Sequence, residues 1–240
     1  MSWFMPTMSR AGEDYLKVIY VLSTTGQPVT NGSLARELGV TSPSVSAMVK
    51  RLADDELLQR PDGRLLRLTD SGQRAAVRVI RRHRLLETFL ARVLDMPWDE
   101  VHAEAELLEH ALSDRLEERI DAALDYPSRD PHGDPIPPRH GHHDETWGES
   151  LDTATVGCRF RVDRVSDRDN AALRYLAGLG IGPGVVLDVE DQEPFGGPRW
   201  VRIDDQRHAL GSVLSRLLYG QVLPETDLRD PGGETPRVLR

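Results

Sequence analysis

Residues 31–69 constrain the fold of this chain more than any other stretch, because they combine two short helix signals, a glycine turn and a Pro-Asp-Gly turn. The sequence SLARELG predicts one helix with Asn31 or Ser33 as its N-cap, and Gly39 follows it. The sequence TSPSVSAMVKRLADDELL predicts a second helix, since its apolar residues recur at helical spacing. Two short helices joined by a tight glycine-containing turn form a helix-turn-helix.

A β-hairpin is predicted directly after the second helix. In LLQRPDGRLLRLT the trio Pro-Asp-Gly at 61–63 separates two short apolar runs, and it favours a turn because proline fixes φ and glycine accepts positive φ. A hairpin in this position makes the unit a winged helix. Three arginines lie on or beside this predicted wing: Arg60, Arg64 and Arg67.

The formal net charge of −9 is unevenly distributed along the 240 residues. Residues 1–80 carry a net charge of +2, residues 81–150 carry −9, and residues 151–240 carry −2. A basic first third favours an anionic partner such as DNA, whereas an acidic, histidine-containing middle third favours a cation.

Composition narrows the remaining classes of protein. No stretch approaches the roughly 18 consecutive apolar residues that cross a membrane, and the start MSWFMPTMSR has no apolar signal segment. We therefore expect a cytoplasmic protein with no membrane partner. The lone cysteine, Cys158, has no partner for an internal disulfide, so any bound metal must be held by histidine and carboxylate side chains.

The strongest chemical signal is the sequence PWDEVHAEAELLEHAL, for which we predict a helix over 97–112. Spacings of four and three residues place His102, Glu106 and Glu109 on one face of that helix, with His110 beside them. Nitrogen and carboxylate oxygen ligands within two turns suit Mn(II), Fe(II) or Zn(II). The alternative interpretation is an acidic, solvated helix face on which the histidines have no ligand role.

The preceding predicted helix runs from Thr69 to about Val93 and adds His83 and Glu87, which are four residues apart. Such pairs can hold a divalent ion between two packed helices.

The rest of the chain predicts a linker, a β module and a tail. Residues 126–150 contain five prolines without periodicity, which indicates a linker, and the histidines of HGHH at 140–143 are interpreted as solvated rather than as metal ligands. Short apolar segments separated by Gly/Pro turns predict a small β-barrel over 151–223. Residues 224–240 are expected to be a disordered tail.

Four separated blocks resemble the diphtheria-toxin-repressor family of metal-dependent transcriptional regulators. They are the winged helix, HRLLE at 83–87, VHAEAELLEH at 101–110 and PHGDPIP at 131–137, followed by a Gly-rich β module. The resemblance implies a mainly α fold with a small β part. Its domains are a winged helix-turn-helix DNA-binding domain (1–75), a helical dimerisation and metal-binding domain with a Pro-rich linker (76–150), and an SH3-like β-barrel (151–223).

The resemblance also implies two metal sites. Its primary ligands are Asp14, His83, Glu106, Glu109 and His110. An ancillary site comprises Glu87 and His102, with His83 either contributing to it or committed to the primary site. Rough alignment adds positions Arg164 and Asp167 from the β module, of which an arginine cannot ligate.

The identity of the primary ligands indicates the activating metal. Iron-responsive members have Met and Cys where this chain has Asp14 and Glu106, so it resembles the manganese-responsive branch. Replacing sulfur by oxygen favours Mn(II) over softer ions. Two-ion manganese members have Glu at the position of Lys17, so the resemblance does not extend to a second ion sharing that ligand.

Candidate DNA contacts lie at the start of the second helix and on the wing. Hydroxyl groups can bond phosphates or base edges, proline can contact a thymine methyl group, and basic side chains can neutralise phosphates. Ser42 is also a plausible N-cap, and the alternative is that the serines only cap and solvate the helix. The candidates are Thr41, Ser42, Pro43, Ser44, Ser46, Lys50, Arg51, Arg60 and Arg64.

We therefore expect a manganese-activated DNA-binding regulator that represses metal-uptake genes, binds a double-stranded DNA operator and forms a homodimer. The alternatives are an iron-responsive repressor of the same family, a winged-helix sensor of a small organic ligand, and a metal-dependent hydrolase. The homodimer is expected from apolar residues in excess of what one small domain buries: Leu85, Leu86, Phe89, Leu90, Val93, Leu94 and Trp98.

Overall fold

The computed structural model describes residues 8–140, 143 and 145–224. The chain divides into two compact units. Among the described residues, the first unit comprises 8–83, 106–118, 137–140, 143 and 145–146, and the second comprises 84–105, 119–136 and 147–224.

The winged helix lies in the first unit. It consists of helices α1 (Arg10–Thr24), α2 (Asn31–Glu37) and α3 (Ser42–Asp54) and of strands β1 (Leu58–Gln59) and β2 (Arg67–Leu68), which pair antiparallel. Buried side chains from all three helices share one core, including Leu16, Leu34 and Val49. The predicted helix-turn-helix and wing are therefore confirmed.

Two N-caps differ from the prediction. The N-cap of α2 is Thr30, not Asn31 or Ser33, because the Thr30 hydroxyl accepts from the Ser33 backbone N–H while the Ser33 hydroxyl accepts from the Thr30 backbone N–H. The N-cap of α3 is Thr41, and Ser42 is the first residue of the helix.

Three further helices follow: α4 (Asp70–Leu94), α5 (Val101–Leu108) and α6 (Asp114–Ala123). Helix α4 was predicted, but the helix predicted over 97–112 is shorter. Helix α5 ends at Leu108, and Ser113 caps the next helix: its carbonyl accepts from Glu117 N–H and its hydroxyl accepts from Leu116 N–H. Glu109 and His110 consequently lie in the turn after α5.

The second unit is built on a six-stranded antiparallel sheet with the order β3-β8-β4-β5-β6-β7. Phe160, Leu173 and Val201 are fully buried in its core, with Trp98 packed among them. The strands are β3 (Glu149–Ser150), β4 (Arg159–Val165), β5 (Val186–Gln192), β6 (Arg199–Ile203), β7 (Gln206–Leu210) and β8 (Leu218–Val222), and the helices are α7 (Asn170–Gly178) and α8 (Ser212–Ser215).

The proline-rich segment predicted as a linker is packed into the second unit over part of its length. Asp130, His132 and Asp134 are buried, which corrects that interpretation. The segment approaches strand β4 very closely at Gly133, where φ is +89° and a Cβ atom would lie 2.1 Å from the backbone oxygen of Asp163. Only glycine fits this position without a shift of the backbone.

Among the HGHH histidines, His140 is exposed, whereas His143 is buried with its Nε2 atom 2.8 Å from Glu145 Oε2. The interpretation of a solvated segment is therefore wrong for His143. Gly141 and His142 lie outside the described residues, as does the predicted tail beyond Pro224.

The apolar residues expected to form a dimer surface divide into three groups by burial. Leu85, Leu86, Leu90 and Trp98 are buried within the protomer, which corrects the expectation that they are surplus to its own core. Phe89 is half-buried. Val93 and Leu94 remain 52% and 56% exposed.

Candidate metal centres and nucleic-acid interface

Helix α1 and the turn after α5 bring Asp14, Glu109 and His110 together in the first unit. His110 Nε2 lies 2.9 Å from Asp14 Oδ1 and 3.3 Å from Glu109 Oε1. Within the described chain, His110 Nε2 and Asp14 Oδ1 are buried polar atoms without a hydrogen bond of acceptable geometry. Carboxylate oxygen and imidazole nitrogen lone pairs that converge in this way fit a divalent ion.

Glu13 orients the imidazole of this group, although it is not among the residues predicted from sequence. Its Oε2 atom lies 2.6 Å from His110 Nδ1. Because a carboxylate accepts hydrogen bonds, Nδ1 donates to Glu13, which leaves Nε2 as the imidazole atom that faces Asp14 and Glu109. The available signal was its position next to Asp14 in the first turn of α1.

A second possible ion position shares Glu109 with the first. His83, Glu106 and Glu109 each offer a ligand atom within 4.8 Å of the others, and His83 Nδ1 lies 2.5 Å from Glu109 Oε2. The Lys17 ammonium donates to both carboxylates of this group. Its Nζ atom lies 2.5 Å from Glu106 Oε1 and 2.9 and 3.2 Å from the two oxygens of Glu109.

These contacts keep Lys17 and Glu109 charged. Burial lowers the pKa of Lys17, but the charges of Glu109 and Glu106 outweigh burial and raise it overall. Burial raises the pKa of Glu109, but hydrogen bonding to His83 and the charge of Lys17 lower it overall. The pKa of Asp14 is raised overall, because burial and the neighbouring carboxylates together outweigh the lowering by His110 and Lys17.

In the second unit, the structure brings the predicted ancillary residues Glu87 and His102 together with Asp167. His102 Nδ1 lies 3.1 Å from Glu87 Oε1 and 2.9 Å from Asp167 Oδ2. Burial lowers the pKa of His102, but hydrogen bonds to Asp167 and Glu87 outweigh it and raise the pKa to about 10. His83, whose role was left open, is hydrogen-bonded to Glu109 through Nδ1.

Glu87 also belongs to a group that sequence reasoning missed, with Asp130 and His132. All three are buried and offer ligand atoms within 4.8 Å of one another. His132 Nε2 lies 2.8 Å from the Trp98 carbonyl oxygen, so we assign a proton to Nε2. His132 Nδ1 is buried without a hydrogen bond and lies 3.8 Å from Glu87 Oε2. The only signal was a histidine flanked by aspartates in DPHGDPIP at 130–137.

Arg164 holds the loop that carries His132. Its guanidinium forms an ion pair with Asp134 and lies over the Trp147 ring, 3.2 Å from the ring centroid. Arg84 also pairs with Asp134, at 3.4 Å, and donates to the Pro135 carbonyl oxygen. Arg164 is thus a structural residue, as expected for a side chain that cannot ligate a cation.

All nine candidate DNA contacts are exposed on the winged helix. Lys50 and Arg51 lie on α3, whereas Arg60 and Arg64 flank the turn of the wing. Asp62 shapes this turn, because its Oδ1 atom accepts from the backbone N–H groups of residues 64 and 65 at 3.0 and 2.7 Å. The serines at 42, 44 and 46 all lie on α3.

Asn31 links the wing to α3, a role that sequence reasoning missed. Its side-chain oxygen accepts from Arg60 Nη2 at 3.1 Å, and its side-chain nitrogen donates to Ser46 Oγ at 3.1 Å. Two of the candidate DNA contacts are therefore positioned by one side chain.

Three family models match successive parts of the chain. The model of the iron dependent repressor N-terminal DNA binding domain matches residues 7–62, that of the iron dependent repressor metal binding and dimerisation domain matches 69–138, and that of the FeoA domain matches 149–221. The diphtheria toxin repressor of Corynebacterium glutamicum is 30% identical over 217 residues, covering 82% of this chain and 93% of that protein. The chain belongs to the diphtheria toxin repressor family.

Two other relatives differ in the metal that their names carry. The iron-dependent repressor IdeR of Mycobacterium tuberculosis is 41% identical over 125 residues, which span 52% of this chain and 54% of that protein, so the match covers about half of its length. A solved structure of a manganese-dependent transcriptional repressor in complex with manganese is 41% identical, with a TM-score of 0.82 over 88% of this chain and all of that one.

These matches confirm the predicted fold class, including the SH3-like β module. The family consists of transcriptional repressors rather than enzymes, which removes the hydrolase alternative. Among the described residues, no helix is both long and apolar enough to span a membrane.

Proposed function

We propose that this protein is a manganese-activated transcriptional repressor of metal-uptake genes, which binds a double-stranded DNA operator as a homodimer in the cytoplasm. The observation that carries the proposal is the donor set of Asp14, Glu109 and His110, in which two ligand atoms have no hydrogen bond. Hard carboxylate oxygens with one imidazole favour Mn(II) over softer ions.

An iron-activated repressor is the second candidate. The mycobacterial relative that is 41% identical over 125 residues carries the name of an iron-dependent repressor. Oxygen and nitrogen ligands also accept Fe(II), so the donor set favours manganese without excluding iron.

The proposed switch acts through helix α1. Asp14 lies on this helix, and Leu16 and Ile19 of the same helix share the buried core that contains Val45 and Val49 of α3. A bound divalent ion supplies positive charge that offsets the neighbouring carboxylates. With that repulsion removed, Asp14 holds α1 against the turn after α5, and the shared core holds α3 in its DNA-reading position.

In this proposal the second unit supplies the ancillary ligands Glu87, His102 and Asp167. Asp130 and His132 add donors that share Glu87. The exposed apolar side chains of Val93 and Leu94 contribute to the dimer contact. A two-fold symmetric dimer presents two winged helices, which match two half-sites of DNA.

A metal titration of DNA binding tests the proposed metal. Probe duplexes are selected from a random-sequence pool by the protein loaded with Mn(II) and, in parallel, with anaerobic Fe(II), and binding is followed against each metal. Mn(II) should activate the wild type, and a variant with both Asp14→Met and Glu106→Cys should respond better to Fe(II). DNA binding that does not depend on either metal would overturn the proposed switch. A wild type activated only by Fe(II) would favour the iron-activated repressor.

The DNA surface has its own test. Lys50→Glu and Arg64→Glu should each weaken binding and lower the slope of log K against log salt by about one unit, since each removes one phosphate contact. Arg216→Glu, on an exposed arginine of the second unit, serves as the charge-matched control. Unchanged affinity and slope in both wing and α3 variants would show that another surface binds the DNA.

A further inference from the structure

Lys17 stands where an ion would otherwise bridge two carboxylates. Of the three potential ligands His83, Glu106 and Glu109, the last two bind the Lys17 ammonium. Lys17 lies three residues after Asp14 on α1, so both side chains project from the same face of one helix. Its side chain is only 13% exposed, and Glu109 is fully buried.

The ligand atoms of the first ion position remain available to a metal ion while Lys17 is in place. His110 Nε2 and Asp14 Oδ1 make no hydrogen bond, and the His110 side chain is only 9% exposed. The hydrogen bonds of the Lys17 ammonium go to Glu106 and Glu109. The first position can therefore accept a divalent ion while Lys17 fills the second position, although the two positions share Glu109.

Charge balance points the same way. The cluster holds four carboxylates, those of Glu13, Asp14, Glu106 and Glu109, and one ammonium, which leaves three net negative charges when the imidazoles are neutral. One divalent ion reduces this to a single negative charge. A second ion beside Lys17 would make this largely buried cluster net positive, which the low local dielectric disfavours.

We infer that Lys17 is a built-in cation that occupies the second ion position, so that this cluster binds one divalent ion at Asp14, Glu109 and His110. The inference rests on the proposed function, because it assumes that this cluster binds metal. Lys17 is a specificity-determining residue here: it ligates nothing, and it sets how many ions the cluster takes.

The test uses the full-length protein with Mn(II), in Lys17→Glu and in the charge-preserving control Lys17→Arg. Equilibrium dialysis counts ions per subunit, and electron paramagnetic resonance detects magnetic coupling between two Mn(II) ions that share Glu109. We expect Lys17→Glu to bind one ion more than the wild type and to show the coupled signal. Lys17→Arg should match the wild type in both measurements.

Lys17→Met, which adds no carboxylate, provides a second variant if Lys17→Glu does not fold. It should also gain a coupled ion at high Mn(II).

The outcomes separate this inference from the proposed function. A coupled pair already present in the wild type, or no additional ion in folded Lys17→Glu and Lys17→Met, would overturn the role of Lys17 while leaving a metal-activated repressor in place. If His110→Ala binds as many ions per subunit as the wild type, this cluster binds no ion. That result would overturn both the role of Lys17 and the proposed function.

Discussion

Replacing Glu109 by Gln should destabilise the metal-free protein strongly, because this buried carboxylate accepts from two cationic or polar partners. The change keeps the side-chain volume but removes the charge that faces Lys17 and His83. Hydrogen bonds to charged groups contribute about 1.5–3 kcal/mol each. Since Lys17 retains its bond to Glu106, we expect a loss of about 2–3 kcal/mol in the free energy of unfolding.

A double-mutant cycle isolates the part that is due to the ion pair. In a Lys17→Met background, Glu109→Gln should cost less than about 1 kcal/mol or even stabilise, because Glu106 and Glu109 then repel each other without a shared cation. The measurement is urea unfolding in the presence of a chelator. Equal costs of Glu109→Gln in both backgrounds, or no cost in either, would refute the electrostatic account of this cluster.

Three other results are expected. Metal-free His102 has its pKa raised to about 10, so the stabilisation from its ion pairs is complete below pH about 6.5 and is lost as pH rises through about 10. Mn(II) binding there should release at least one proton near pH 7.5 by calorimetry, and one fewer in His102→Gln, because His132, whose pKa is also raised to about 10, can release a proton of its own. Asn31→Ala should weaken DNA binding about 3- to 10-fold through loss of two hydrogen bonds, with unchanged Mn(II) affinity by dialysis. Gly133→Ala should cost about 2 kcal/mol or more by urea unfolding, whereas Gly180→Ala, also at positive φ but with no atom near the added Cβ, should cost only about 1 kcal/mol.

Local signals carried the prediction of the winged helix. Helical spacing of apolar residues and the Pro-Asp-Gly turn depend on neighbours within a few positions, and the structure agrees with both. Caps were less certain because Thr30, Asn31 and Ser33 are all good N-caps within four positions. Only the hydrogen-bond geometry decides that Thr30 takes the role.

The candidate sites were predictable where their ligands lie on helices. His102 and Glu106 stand one turn apart on α5, and His83 and Glu87 stand one turn apart on α4, so spacing alone placed each pair on one face. Asp130 and His132 lie in a loop without periodicity, and their burial depends on contacts with distant residues such as Trp98. No local pattern reports such contacts.

The bridging role of Lys17 was also out of reach of local reasoning. The sequence showed a lysine where a carboxylate was expected, but Glu106 is 89 positions further along the chain. Composition and spacing cannot show that an ammonium lies between two particular carboxylates, because that depends on how α1 packs against the turn after α5.

The sequence distances within the two clusters have a consequence for synthesis of the protein. The last residue of the first cluster to leave the ribosome is His110, whereas the group of Glu87 and His102 must wait for Asp167, about 57 residues later. At roughly 5–20 residues per second, that is a delay of roughly 3–11 s. During this interval Glu87 and His102 exist without their third partner, so a nascent chain completes its two clusters in a fixed order.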